Sequence, residues 1–204
     1  MKTKITMELL IGSLMLVSSG AYAQTKATPD CHQALAYVQH GDMYKDGARI
    51  GRNAATFQAA CNGDVAWQAT DGELFKNDVR IGRSTTEYKI AKYTGDVVFL
   101  DKDKTLYKNE ERLGFGATRF EISDFTGDVV WGEVYGDIYK NDDRLGHAMT
   151  DFKISQRTGD AAWTQDYGDI FKNESIIGRS ATDFQLNADG RGTWKNRYGD
   201  IREL

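Results

Sequence analysis

Three tyrosines stand at equivalent places in the chain, each followed by glycine and aspartate: GEVYGD, TQDYGD and KNRYGD, with Tyr135, Tyr167 and Tyr198 ahead of Asp137, Asp169 and Asp200. An exposed phenol ring offers an apolar face and a polar tip, and a carboxylate beside it accepts hydrogen bonds from hydroxyls. That pairing suits a sugar ring. Set out at regular intervals, several weak sites of this kind raise the effective concentration of a multivalent ligand. The earlier turns, VQHGD, QATDGE and LDKDKT, lack the tyrosine, so such sites occupy part of the chain only.

What positions these groups is an internal repeat. A short phrase recurs as RIG at 49–51 and 80–82, RLG at 112–114 and 144–146, and IIG at 176–178, at spacings of 31, 32, 32 and 32 residues. MYKDG, LFKND, LYKNE, IYKND or IFKNE precedes it, and a Thr-x-aromatic segment follows. Periods of this order mark solenoids, propellers and arrays, in which each unit buries its apolar face only against its neighbours. Within one unit, Ala161-Ala162-Trp163, Asp169–Lys172, Ser175–Gly178 and Ser180–Leu186 are short runs separated by turn residues. Phe184 and Leu186 alternate with Asp183 and Gln185, the period of two that a strand with one wet face requires. The reading is an all-β chain, a small-blade β-propeller of about 32-residue, four-stranded repeats. Six aromatic anchors (Tyr37, Trp67, Phe99, Trp131, Trp163 and Trp194) favour six blades over five. The apolar Trp strand is expected innermost and the Thr-x-aromatic strand at the outer edge. Segment 26–31, which aligns with Thr56–Cys61, is expected to supply an outer strand to the last blade and close the ring.

The segments DGELF at 71–75, KDKTLY at 102–107 and YGDIYK at 135–140 resemble the inner hairpins of tachylectin-like propeller lectins, and NADGRGTW at 187–194 is similar to an Asp-box turn. The resemblance runs from about residue 35 onward through short phrases, in units shorter than that family's. It implies a sugar-binding propeller.

Other residues have structural explanations. The pairs Gly95-Asp96, Gly127-Asp128 and Gly159-Asp160 could ring a calcium ion, but glycine provides positive φ and aspartate hydrogen-bonds its own turn, so turn formation is expected and no metal site. The tryptophans fall in apolar strands and are expected to pack between blades. Arg52, Arg83 and Arg179, with His147 in the same slot, are expected to form ion pairs with nearby carboxylates on a solvated rim. No nucleophile elbow, phosphate loop or zinc motif is present, and a glycosidase needs a unique carboxylate pair where these carboxylates repeat. The chain therefore reads as a non-enzyme, with no catalytic residues and no cofactor.

The ends and the composition set the compartment. Lys2 and Lys4 precede the apolar run Leu9 to Val17 and then Ala21-Tyr22-Ala23, the form of a secretory signal over 1–23 cleaved before Gln24. The remainder, 24–204, is expected to be a single repeat domain, periplasmic or secreted, with no membrane insertion. Cys31 and Cys61, the only cysteines, occupy the same slot in successive units and are expected to form a disulfide. The net charge of −4, or near −5 after removal of the signal, and the lack of a basic stripe argue against nucleic acid. Glycans, or an exported protein partner, are the expected ligands, so the function is a lectin-like module, with a protein-interaction scaffold as the alternative.

Overall fold

The computed structural model describes residues 31–204; the expected signal over 1–23 and most of segment 26–31 lie outside them. The described residues form strands and turns without a helix. Blade 1 comprises β1 (Ala36–Gln39), β2 (Asp42–Lys45) and β3 (Ala48–Gly51). Blade 2 comprises β4 (Ala54–Ala59), β5 (Val65–Ala69), β6 (Leu74–Lys76) and β7 (Val79–Gly82). Blade 3 runs through β8 (Thr85–Ile90), β9 (Val97–Asp101), β10 (Leu106–Lys108) and β11 (Glu111–Gly114), and blade 4 through β12 (Ala117–Ile122), β13 (Val129–Glu133), β14 (Ile138–Lys140) and β15 (Asp143–Gly146). Blade 5 has β16 (Met149–Ile154), β17 (Ala161–Gln165), β18 (Ile170–Lys172) and β19 (Ser175–Gly178). Blade 6 has β20 (Ala181–Leu186), β21 (Gly192–Asn196) and β22 (Ile201–Glu203). Each is an antiparallel sheet in chain order, with four strands in blades 2–5 and three in blades 1 and 6. The architecture is an all-β array of six small propeller blades.

Local chemistry explains the repetition. Asn77, Asn109, Asn141 and Asn173 sit in left-handed turns at φ 51–55°, a conformation asparagine tolerates better than most residues. The Asn173 side chain accepts from the Ala161 amide at 2.9 Å and donates to Asp160 at 3.1 Å, and its carbonyl accepts from Trp163 Nε1 at 2.9 Å. Asp160 also faces Lys172 at 3.6 Å. The same Asp–Asn–Lys triad recurs as Asp64, Asn77 and Lys76, as Asp96, Asn109 and Lys108, and as Asp128, Asn141 and Lys140. The repeated Gly-Asp pairs are therefore hubs of the fold, and no group of three or more His, Cys, Asp or Glu placed to hold a metal occurs among the described residues.

Blades stack through their aromatic anchors. The indoles of Trp67, Trp131 and Trp163 are buried and stack on Phe75, Tyr139 and Phe171 at 4.2, 4.3 and 4.1 Å. Each presses on the glycine of the preceding blade's RIG or RLG phrase. A Cβ added at Gly51, Gly114 or Gly146 would lie 2.1–2.2 Å from the ring, so that glycine is fixed by interblade contact.

Two expectations about strand placement are corrected. The Trp strand is not at the inner edge: β17 has β16 on one side and β18 on the other. The Thr-x-aromatic strand is an edge strand, but its edge is where successive blades meet. Gln58 there binds both Tyr88 O and Ile90 N at 3.2 Å, and Lys89, Arg119 and Lys153 donate to the carbonyls of Phe120, Phe152 and Phe184. Those side chains occupy main-chain groups that an edge leaves unpaired. Beside them the turns are linked by backbone bonds: Cys61 N to Lys92 O, Tyr93 N to Asp124 O, Phe125 N to Gln156 O and Arg157 N to Ala188 O. The Cys31–Cys61 disulfide ties the first two turns of that column.

Each described Thr-x-aromatic strand belongs to the sheet of the Trp strand that follows it; the strand expected from segment 26–31 lies, but for Cys31, outside the described residues. No strand pairing or hydrogen bond joins blades 1 and 6 among the described residues. Blade 6 also presents a different forward face. Ala66, Val98, Val130 and Ala162 are 0% exposed, and the corresponding residue is the exposed Thr193. Leu100 is likewise replaced by exposed Lys195, and Ile201 is 71% exposed where Met43, Leu74, Leu106, Ile138 and Ile170 are 0%.

Candidate functional site

The turn after each Trp strand points out of the array, and its tip residues are Asp71, Asp103, Tyr135, Tyr167 and Tyr198 in blades 2–6. The tyrosines are 88%, 87% and 80% exposed, the highest among the large apolar residues. Their positions are set by backbone. Gly136 O accepts from Met149 N, and Ala148 O from Asp166 N; Gly168 O accepts from Ala181 N, and Ser180 O from Arg197 N. Loops 147–148 and 179–180 are thus threaded between successive tips and hold the three tyrosines in one row. Gly136, Gly168 and Gly199 supply the positive φ that the tight tips require.

The three aspartates do not share one environment. Asp137 is bound to Arg144 at 2.6 Å. Asp200 accepts from Asn196 Nδ2 at 3.1 Å, while Asn196 Oδ1 accepts from the amides of Tyr198 and Asp200. Asp169 has no side-chain partner among the described residues, since Ile176 stands where Arg144 stands one unit earlier. Of the three, Asp169 is the free acceptor.

A cleft of about 250 Å³ lies beside Tyr167, between blades 5 and 6. Its walls carry the hydroxyls of Thr150, Thr164 and Thr182 and the carboxylates of Asp151, Asp166 and Asp183. These residues are not evident in sequence, because β16, β17 and β20 converge only in the folded chain. Alternation would put the adjacent Thr150 and Asp151, and Thr182 and Asp183, on opposite faces; the register shifts at Met149/Asp151 and Ala181/Asp183 break that pattern there and have no signature in the sequence.

The basic series behaves differently from expectation. Arg52, Arg83, Arg179 and His147 lie in the loops threaded between tips, and none forms an ion pair among the described residues. Three arginines of the RIG and RLG phrases are paired instead: Arg49 with Asp42 at 3.1 Å, Arg80 with Glu73 at 2.7 Å and Arg144 with Asp137 at 2.6 Å. The seven-residue spacing places both partners across one hairpin. The tip face therefore exposes aromatic rings, hydroxyls, carboxylates such as Asp169 that have no side-chain partner among the described residues, and unpaired cations together.

No family model matches the chain, and no curated relative matches it. Among solved structures it is similar to Kluyveromyces lactis Hsv2, at 16% identity over 86% of this chain and 71% of that one, with a TM-score of 0.46. The C-terminal WD40 domain of Sif2 gives 11%, 86%, 64% and 0.41, and a streptogramin B lyase 12%, 87%, 70% and 0.29.

Proposed function

We propose that this chain is an exported, non-enzymatic binding module that holds glycans along its row of hairpin-tip tyrosines. The observation that carries the reading is the row itself: Tyr135, Tyr167 and Tyr198, each at least 80% exposed, on turns braced by backbone bonds. Large rings left in water contribute nothing to the core, whereas a platform for sugar faces needs such rings and needs them rigid. The hydroxyl-rich cleft beside Tyr167, with Asp169 at the same tip, adds the polar groups that orient a sugar. Each contact is weak, and the row makes them additive in effect by multivalency. The disulfide suits an oxidising compartment, so the periplasm or the extracellular space is the assigned location. No helix among the described residues is long and apolar enough to cross a membrane.

A second reading, an interaction scaffold for an exported protein, draws on the unpaired Arg52, Arg83 and Arg179 of the same face. A glycan array on the chain from Gln24 onward separates the two. Binding that disappears when Tyr135, Tyr167 and Tyr198 become alanine, with melting unchanged, supports the lectin reading. Absence of binding to every glycan refutes it and favours the scaffold, for which a partner is sought in the exported fraction.

A further inference from the structure

Within the array the repeat breaks most sharply in blade 3. Phe99 stands where blades 2, 4 and 5 have Trp67, Trp131 and Trp163, Thr85 where blades 2 and 4 have Ala54 and Ala117, and Thr105 where blades 2 and 4 have Glu73 and Asp137. A unique site in a repetitive protein is expected where the units differ. At this place, between the last strand of blade 2 and the sheet of blade 3, lies a cleft of about 290 Å³ lined by Ile81, Gly82, Arg83, Phe99, Tyr107 and Glu110, among others. Its size approaches the lower end for small-ligand sites, which are typically roughly 300–1,000 Å³.

The chemistry of the cleft follows from what the sibling blades contain. In them an indole reaches to 2.1–2.2 Å of the position a glycine Cβ would take; at Gly82 the nearest atom of Phe99 is 2.7 Å away. The phenyl ring brings no N–H, and Thr85 takes part of the space an indole would fill, its Oγ1 3.1 Å from the same position. The carbonyls of Asn77, Asn141 and Asn173 each accept from an indole at 2.7–2.9 Å, whereas no donor reaches the carbonyl of Asn109, next to Glu110, among the described residues. Arg80 in the lining is held by Glu73, and Asp101 accepts from the amides of Asp103 and Thr105. Arg83 is exposed and has no carboxylate partner among the described residues.

We propose that this cleft binds a small planar aromatic carboxylate of the indole type. The ring lies against Ile81 and Tyr107, over the buried Phe99, its N–H turns toward the Asn109 carbonyl, and its carboxylate pairs with Arg83. Glu110, across the rim, restricts the anion to the Arg83 side. The proposal is independent of the glycan reading, since none of the tip tyrosines contributes.

The probe is indoleacetate, titrated calorimetrically into the chain from Gln24 onward, with indole and naphthaleneacetate as arms lacking the carboxylate and the N–H. Indoleacetate is expected to bind, and Arg83→Ala, on an exposed loop, to weaken it about tenfold, or roughly 1.4 kcal/mol. The double variant Thr85→Ala/Phe99→Trp restores the pairing that blades 2 and 4 already use. It is expected to melt no lower than the wild type and to lose the probe. Absence of indoleacetate binding to the folded wild type overturns the proposal, as does undiminished binding by the double variant. Equal affinity for naphthaleneacetate overturns the contact with the Asn109 carbonyl. Retained binding in the triple tyrosine variant supports a separate site.

Discussion

Adding one methyl group at Gly146 should destabilise the protein through Trp163, and the size of the effect can be worked from the contact. The new Cβ would lie 2.2 Å from Cη2 and 2.6 Å from Cζ2 of the indole. Carbon atoms pack best at about 3.5–4.0 Å, so the ring or the strand must move by about 1.3 Å. The indole has little room to move, being 1% exposed, stacked on Phe171 and bonded to Asn173 O. Overpacking costs about 1–3 kcal/mol, and loss of the indole bond adds about 1 kcal/mol if its groups stay buried. Gly146→Ala should therefore cost about 2–4 kcal/mol. Trp163→Phe relieves part of the collision: in blade 3, which uses phenylalanine naturally, a Cβ at Gly82 would lie 2.7 Å from Phe99. In urea titrations at constant m, Gly146→Ala/Trp163→Phe should be less destabilised than the sum of the singles by about 1–2 kcal/mol. Additivity within about 0.5 kcal/mol would refute the claim that the glycine is kept for the indole.

Other outcomes follow from the same geometry. Burial pushes the Asp96 carboxyl up, but Asn109 and Lys108 outweigh it and hold the group below 3.8; Asp64 is held likewise by Asn77 and Lys76. A lowered folded value means stabilisation present above the unfolded pKa and lost as pH falls through the folded one, so Asp96→Asn should flatten the loss of stability as pH falls below the ordinary carboxylate range; an unchanged acid slope contradicts this. Reducing the Cys31–Cys61 bond, which spans a separation of 30 residues, should lower stability by up to about 3–4 kcal/mol on the loop-entropy model, with hydrogen-exchange protection lost first in blade 1; uniform loss across the blades argues otherwise. Gln58→Glu should cost about 1–2 kcal/mol, because a second acceptor would face Tyr88 O, while Gln58→Lys should cost less: it loses the acceptor for Ile90 N but keeps a donor for Tyr88 O, as Lys89 and Lys153 do elsewhere. Equal destabilisation by the two would contradict the donor assignment.

The repeat made the strands legible because every blade is local: four short runs joined by tight turns, with asparagine or glycine where φ is positive. The burial of Trp67, Trp131 and Trp163 followed from their alternation with other apolar residues. The order of strands across a blade was not legible, because Ala161-Ala162-Trp163 is equally apolar whether it lies at an edge or one strand in. What decides is Gln58, Lys89, Arg119 and Lys153, whose reach to the next blade has no signature in one unit alone. The choice of arginine was available and was misassigned: Arg49, Arg80 and Arg144 each follow a carboxylate by seven residues, the register of a hairpin pair. At the candidate site the three tyrosines were visible as a series. The different fates of Asp137, Asp169 and Asp200 depend on residues a strand away, Arg144, Ile176 and Asn196.

The forward face of blade 6 bears on how such a chain can change length. Blades 2–5 each offer a buried alanine or valine ahead and an aromatic ring behind, so a tandem duplication of residues 117–148 would join to itself without a new kind of contact. A copy appended after Thr193 and Lys195 would meet hydroxyl and ammonium groups where its aromatic strand needs methyls. Growth is thus confined to the interior, and each added unit would bring one more turn tip. On the glycan reading proposed above, the number of platforms is then a heritable count, adjustable without redesigning any single blade.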